Sequence, residues 1–286
     1  MTRPNGKDSR MQKGKVERFF ATAQDEGIPR AIHLAGKYSI STLPRRGVPY
    51  YYRTRAWYNW KRAGTYSYQP DPFKIIQVDP AEIKHRSEDR FSYMSNKYYD
   101  AGLVESGDWD QTKREFTEMY TDPDGRLKNT IYKSFEARFC DGVRWEETPL
   151  VKKVMNHIRA GESKWHGCES EKDVQKRCHK MDKMYETMKR DGYKSRRKLI
   201  AESDKSPTNP QWFWQVYDEV VVNVGRSGEL LFVGGHHRLS MAKLLGIDKI
   251  PVRIFVRHSG WQEQIDRYYK SGEINCDHPD LHELQE

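Results

Sequence analysis

Residues 219–224 form an apolar run with the composition of a strand, residues 229–233 form a second, and Gly225-Arg226-Ser227-Gly228 between them supplies turn chemistry. The stretch predicts a β-hairpin. After Gly234-Gly235 the apolar spacing changes from two to three and four. Leu239, Ala242 and Leu245 fall on one side of a predicted helix over 237–245, and Gly246 supplies its left-handed stop. A strand over 250–257 follows, with Val252, Ile254 and Val256 expected on one face. Upstream, Val174, Cys178, Met181, Met184, Tyr185 and Met188 make the apolar stripe of a helix from Ser170 to about 190. Ser170 is its predicted N-cap and Asp191-Gly192 its end. Residues 73–78 read as a strand stopped by Asp79-Pro80, and Asp122-Pro123-Asp124-Gly125 as a turn. Shorter helices are expected over about 16–26 and 53–62, with 69–72 as a linker. Strands and helices interleave, which gives an α+β class.

The composition adds limits. A chain of 286 residues with 36% hydrophobic and 12% aromatic side chains can bury a sizeable core. Mean hydropathy is −0.97, and no apolar run approaches the roughly 18 residues of a membrane span. The basic start lacks the apolar segment of a secretory signal, so a cytoplasmic protein without a membrane partner is expected. The four cysteines lack a close pairing pattern and are expected as free thiols. Cys178 and His179, adjacent on a helix, point about 100° apart and make poor joint zinc ligands, so no metal site is assigned.

The net charge of +9 lies at one end. Residues 1–70 hold 14 basic and 4 acidic side chains, whereas residues 71–286 hold 36 and 37. Arg53, Arg55, Trp57, Trp60, Lys61 and Arg62 interleave cations with aromatics, a pattern suited to tracking a phosphate backbone and stacking on bases. The same spacing also suits an amphipathic helix with its aromatics docked on the body and its cations solvated.

The turn Gly234-Gly235-His236-His237-Arg238 concentrates the chemistry. Paired glycines let the backbone approach a ligand, and the helix that opens there directs unpaired N–H groups and its positive dipole end at whatever fills the turn. Arg238 offers a planar fork for two phosphate oxygens, while His236 and His237 can donate hydrogen bonds or move a proton near neutral pH. A phosphate-bearing ligand is the expected occupant. Glu82, Glu219 and Glu229 are the candidate general bases near it, although a surface carboxylate is the commoner role for each.

The run from Phe232 through Gly234-Gly235-His236-His237-Arg238, with Ala242 to Gly246 and then Ile250-Pro251-Val252, resembles the core signature of the ParB/sulfiredoxin superfamily. The resemblance covers about 45 residues. It implies a mixed sheet with packed helices, a large and mostly helical insertion over about 90–165, and a basic N-terminal extension. The domain would span 71–262, with 1–70 before it and a tail of 263–286 after it. His236 stands where sulfiredoxins carry their catalytic Cys, so sulfinic acid reduction is not expected. About 28 residues remain after His258, too few for the DNA-binding module of chromosome-partitioning members. Gly235-His236-His237-Arg238 is similar to the turn of the superfamily's free-serine kinases, with Gly234 replacing their acidic residue. By that likeness the chain would bind ATP, ADP or CTP, with Mg²⁺, and pass a phosphoryl group to a hydroxyl acceptor. Two other readings stand beside it: a nucleic-acid-binding protein or nuclease using residues 1–70, and a nucleotide-gated switch without chemistry.

Overall fold

The computed structural model describes residues 73–87, 102–203, 216–272 and 277–282, with scattered positions from 50 to 71. Contacts divide the chain into two units, Met1–Thr54 with Pro207–Phe213 and Arg55–Ser206 with Trp214–Glu286; the main sheet and its helices belong to the second. The helix expected over 16–26 lies outside the described residues.

Nine consecutive buried residues, Ile250–His258, form strand β9, and the fold is arranged around it. A strand whose residues are all buried must be covered on both faces and paired along both edges. On one edge runs β7, Val220–Val224, parallel to β9. The other edge is shared: β1 (Ile75–Val78) pairs antiparallel with its first half, and β3 (Leu103–Glu105) parallel with its second. Beyond β7 come β8 (Leu230–Gly234), then β2 (His85–Ser87) and β4 (Lys113–Glu115). The predicted hairpin is present as β7 and β8, closed by Gly225 N–H to Glu229 O at 2.9 Å and Gly228 N–H to Gly225 O at 3.0 Å.

Period-two alternation sorts most of these side chains onto the two faces. Val220, Val222, Val224, Leu230, Phe232, Val252 and Ile254 join one core, while Val221, Leu231 and Phe255 join a smaller one around Trp109. Val256, expected beside Val252 and Ile254, packs instead in the smaller core. The cause is a register shift: Val222 pairs with Ile254 and Val224 with Arg257, so β9 carries one extra residue and its alternation reverses.

Six α-helices lie wholly within the described residues: α1 (Thr130–Phe139), α2 (Pro149–Arg159), α3 (Glu171–Asp191), α4 (Arg196–Ala201), α5 (His236–Leu244) and α6 (Ser259–Ser271). None is long and apolar enough to cross a membrane. In α3, Ser170 Oγ accepts from Asp173 N–H as the sequence predicts, and Val174, Cys178, Met181, Tyr185 and Met188 are buried. Cys140, Cys168 and Cys178 are free thiols.

Two boundaries move. The stretch expected as a mostly helical insertion also carries β3 and β4, which pair into the main sheet before α1 and α2 begin. The expected tail is not a tail. Residue 262 falls inside α6, and beyond it Asp280, 1% exposed, accepts from Arg257 Nε and Nη2 at 2.8 and 2.7 Å and from Trp261 Nε1 at 3.0 Å. On the N-terminal side, Tyr68 N–H donates to Asp266 at 2.9 Å, so folded structure begins before residue 71.

Candidate functional site

The glycine pair behaves as the sequence requires. β8 ends on Gly234, and Gly235 (φ +90°, ψ +29°) turns the chain into α5. A Cβ at residue 235 would lie 2.9 Å from Val220 Cα, so both the conformation and the space exclude a side chain there. No side chain caps α5; Leu239 N–H makes its first backbone bond, to Gly235 O, at 3.0 Å.

The three residues after the glycines go different ways. His236 packs between Phe116 and Phe232, with ring centroids 4.8 and 5.1 Å away. Its buried Nε2 has no hydrogen-bond partner. His237 stacks on Phe135 at 5.6 Å and accepts from the Trp165 indole N–H at Nε2, 3.1 Å away. Burial pushes the pKa of each imidazole down to about 3, helped by Arg86 and His237 around His236, and by Arg177, His166 and Arg238 around His237. The expectation that they move protons near neutral pH is therefore corrected: both are neutral there. Arg238 lies among acidic neighbours. Its Nη1 donates to Asp218 O and lies 3.4 Å from Glu219 Oε2, so its fork is engaged by acidic neighbours.

Of the candidate bases, Glu219 meets the turn at Arg238, and none of the three lines the cleft beside the turn. Glu219 is 1% exposed and accepts from Tyr193 Oη at 3.2 Å and from Arg196 N–H; burial raises its pKa against the pull of these bonds and of Arg238. Glu229 is held by His85 Nδ1 at 2.6 Å and by Lys113. Glu82 is exposed in a short 3₁₀ turn, Pro80–Glu82.

A cleft of about 590 Å³ opens where α1, α2 and the start of α5 meet. His236 alone of the turn lines it, joined by Arg86, Arg126, Lys128, Lys153 and Lys164. Against these five cations stands one lining carboxylate, Glu162, which already meets His157 Nδ1 at 2.8 Å and Lys164 at 3.5 Å. Lys153 has its pKa lowered chiefly by burial, with Lys128 and Lys164 adding to the effect and Asp122 opposing it. The Arg86 guanidinium forms no ion pair or hydrogen bond among the described residues. Ile131, Leu150, Val154 and Trp165 give the cleft an apolar side.

The first residues of α1 also border this space. Asn129, Thr130 and Ile131 line it, and no side chain caps the helix. Asn129 is left-handed (φ +57°, ψ +39°) and 8% exposed, and its Oδ1 has no partner. An uncapped helix start and five cations suit an anion, and the apolar side suits a body attached to it; Asn129 Oδ1, an acceptor, calls for a donor instead.

Little of this cleft is visible in the sequence. The Asp122–Gly125 turn is as predicted, with Gly125 at φ +74° and its N–H on Asp122 O at 2.9 Å. Its role is to fold the hairpin of β5 (Tyr120–Thr121) and β6 (Leu127–Lys128), which carries Arg126 and Lys128 to the cleft. Trp165, set in a loop that combines it with Lys164, His166 and Cys168, joins cleft and turn through His237. Arg53, Trp57 and Lys61 are helical and exposed, whereas Arg55, Trp60 and Arg62 lie outside the described residues. Lys61 Nζ sits 5.8 Å from the Trp57 ring.

The fold is a mixed α+β sheet protein, and the site is a cationic cleft beside a glycine turn. No family model matches the chain, nor does any curated protein or solved structure.

Proposed function

We propose that the chain binds a phosphate-bearing ligand, a nucleotide such as ATP, ADP or CTP, in the cleft between α1, α2 and the start of α5. The observation that carries this reading is the gathering of Arg86, Arg126, Lys128, Lys153 and Lys164 around an uncapped helix start with one carboxylate among them. Arg126, Lys128 and Lys164 already meet Asp124, Asp122 and Glu162 at 3.8, 3.2 and 3.5 Å, and a polyanion would complete this partial neutralisation across the cluster. The order of β8, turn, α5 and β9 supports the ParB/sulfiredoxin type, with the phosphates displaced from Arg238 toward His236. Mg²⁺ would arrive with the nucleotide, since among the described residues no three His, Cys, Asp or Glu side chains are grouped to hold a metal. Phosphoryl transfer to a hydroxyl acceptor would extend this binding, with Glu162 the carboxylate best placed to meet the acceptor.

Calorimetric titration with ATP, ADP and CTP tests the reading. Lys153→Ala and Arg86→Ala should each weaken binding about tenfold to a hundredfold, the worth of one charge-assisted hydrogen bond. Absence of heat with all three nucleotides on the native protein at low salt would refute it.

A second reading, binding of single-stranded nucleic acid, rests on the aromatics of residues 50–62. Trp57 is 49% and Tyr58 51% exposed, which favours stacking surfaces over docked core residues. Binding should then fall steeply with salt and vanish on removal of residues 1–70; salt-independent retention would exclude this role.

A further inference from the structure

From the hydrogen bonds of one buried side chain we infer that the ligand is a phosphate ester with a free hydroxyl close to its phosphate, a sugar phosphate or a nucleotide, and that Asn129 recognises that hydroxyl. This rests on the phosphate reading above and narrows it.

Asn129 Nδ2 donates to Phe116 O at 2.7 Å and to Glu118 O at 2.5 Å. Both of its N–H groups are therefore used, and the amide cannot be turned over without losing two bonds. This leaves Oδ1 as a fixed acceptor. Asparagine ahead of a helix ordinarily spends that oxygen on the N–H of the second or third helical residue. Here α1 receives no such bond and Oδ1 is buried without a partner. An unsatisfied buried acceptor costs about 1–3 kcal/mol, a cost that a ligand donor would remove.

The neighbours of Asn129 define the donor. Asn129 lines the cleft together with Lys128 and Thr130, on either side of it in the chain. A phosphate dianion brings acceptors and no proton to give. A hydroxyl on the adjoining carbon body can donate. Ile131, Leu150, Val154 and Trp165 provide an apolar side for that body, and about 590 Å³ is far more than inorganic phosphate fills. The structure thus separates two tasks: the cations hold charge, and Asn129 reads the ester.

Calorimetry on the full chain decides the matter by comparing ribose 5-phosphate with pentyl phosphate, and ADP with 2′,3′-dideoxy-ADP. At least one hydroxyl-bearing member should bind tenfold or more tightly than its partner, and the pair that responds distinguishes a sugar phosphate from a nucleotide. Asn129→Gly keeps the left-handed backbone accessible. In that variant, checked for a native thermal transition, the preference should disappear while affinity for tripolyphosphate is retained. Equal affinity within both pairs, with tripolyphosphate also bound, would overturn the role of Asn129 and leave the phosphate reading intact. No binding of any of the five would overturn both.

Discussion

His236 and His237 stay neutral because the ring of one lies between two phenylalanines and the other accepts a bond from Trp165. Their unfolded forms take up protons below the ordinary value of 6.5, whereas the folded forms resist until about 3. The unfolded state therefore binds more protons across that window, and stability is greatest above about 6.5 and declines as pH falls through it. Thermal midpoints should drop between pH 7 and pH 5, and His237→Gln should flatten the decline. A midpoint that holds steady or rises over this range in the native protein would contradict the buried state. The sequence places both histidines at the start of a helix, but their proton state depends on Phe116, Phe135 and Trp165, which come from other parts of the chain.

At the scale of elements, the β8 to α5 turn was legible from its residues alone. Paired glycines have few uses, and the space at residue 235 explains this one: Val220 of β7 crosses directly behind it. Gly235→Ala should destabilise the protein by about 2–4 kcal/mol, combining a left-handed alanine with a backbone clash. Urea denaturation would measure it, and a loss below about 0.5 kcal/mol would show that the turn has another shape. The bulge in β9 was not legible, because the alternation of Val252, Ile254 and Val256 looks unbroken until the partner strand sets the register. The backbone path of the loop before α3 was likewise hidden. Trp165, His166 and Gly167 are successive left-handed residues (φ +50°, +65° and +84°), closed by mutual bonds of Lys164 and Cys168 at 3.1 and 2.8 Å. Strain of this kind is retained where surrounding contacts impose it, and here it holds Trp165 between cleft and turn.

Across the whole molecule, the distribution of charge misled where its geometry informs. Attention falls naturally on the basic residues 1–70, yet the cleft takes its cations from residues 86, 126, 128, 153 and 164, in a region with no net excess of positive charge. No local period announces that these side chains meet. The C-terminal clasp was missed for the same reason, since Asp280 has meaning only beside Arg257, Trp261 and Lys74. Burial alone would raise that carboxyl, but Arg257 and then Lys74 hold it well below its ordinary value of 3.8. Its contribution is present above that value and is lost as pH falls below it. Asp280→Asn leaves two cations buried with a neutral amide and should cost about 3–5 kcal/mol in urea denaturation. A loss below about 1 kcal/mol, the scale of an exposed pair, would mean that residues 277–282 do not close the fold.

If the cleft beside the glycine turn holds phosphate, a crystal structure of the protein with ADP shows it most directly. The phosphates should lie within hydrogen-bonding distance of Arg86 and Lys153 and near the first N–H groups of α1, with Arg238 still engaged by Asp218 and Glu219. Phosphates bound by Arg238, or anywhere outside the cleft, would contradict it.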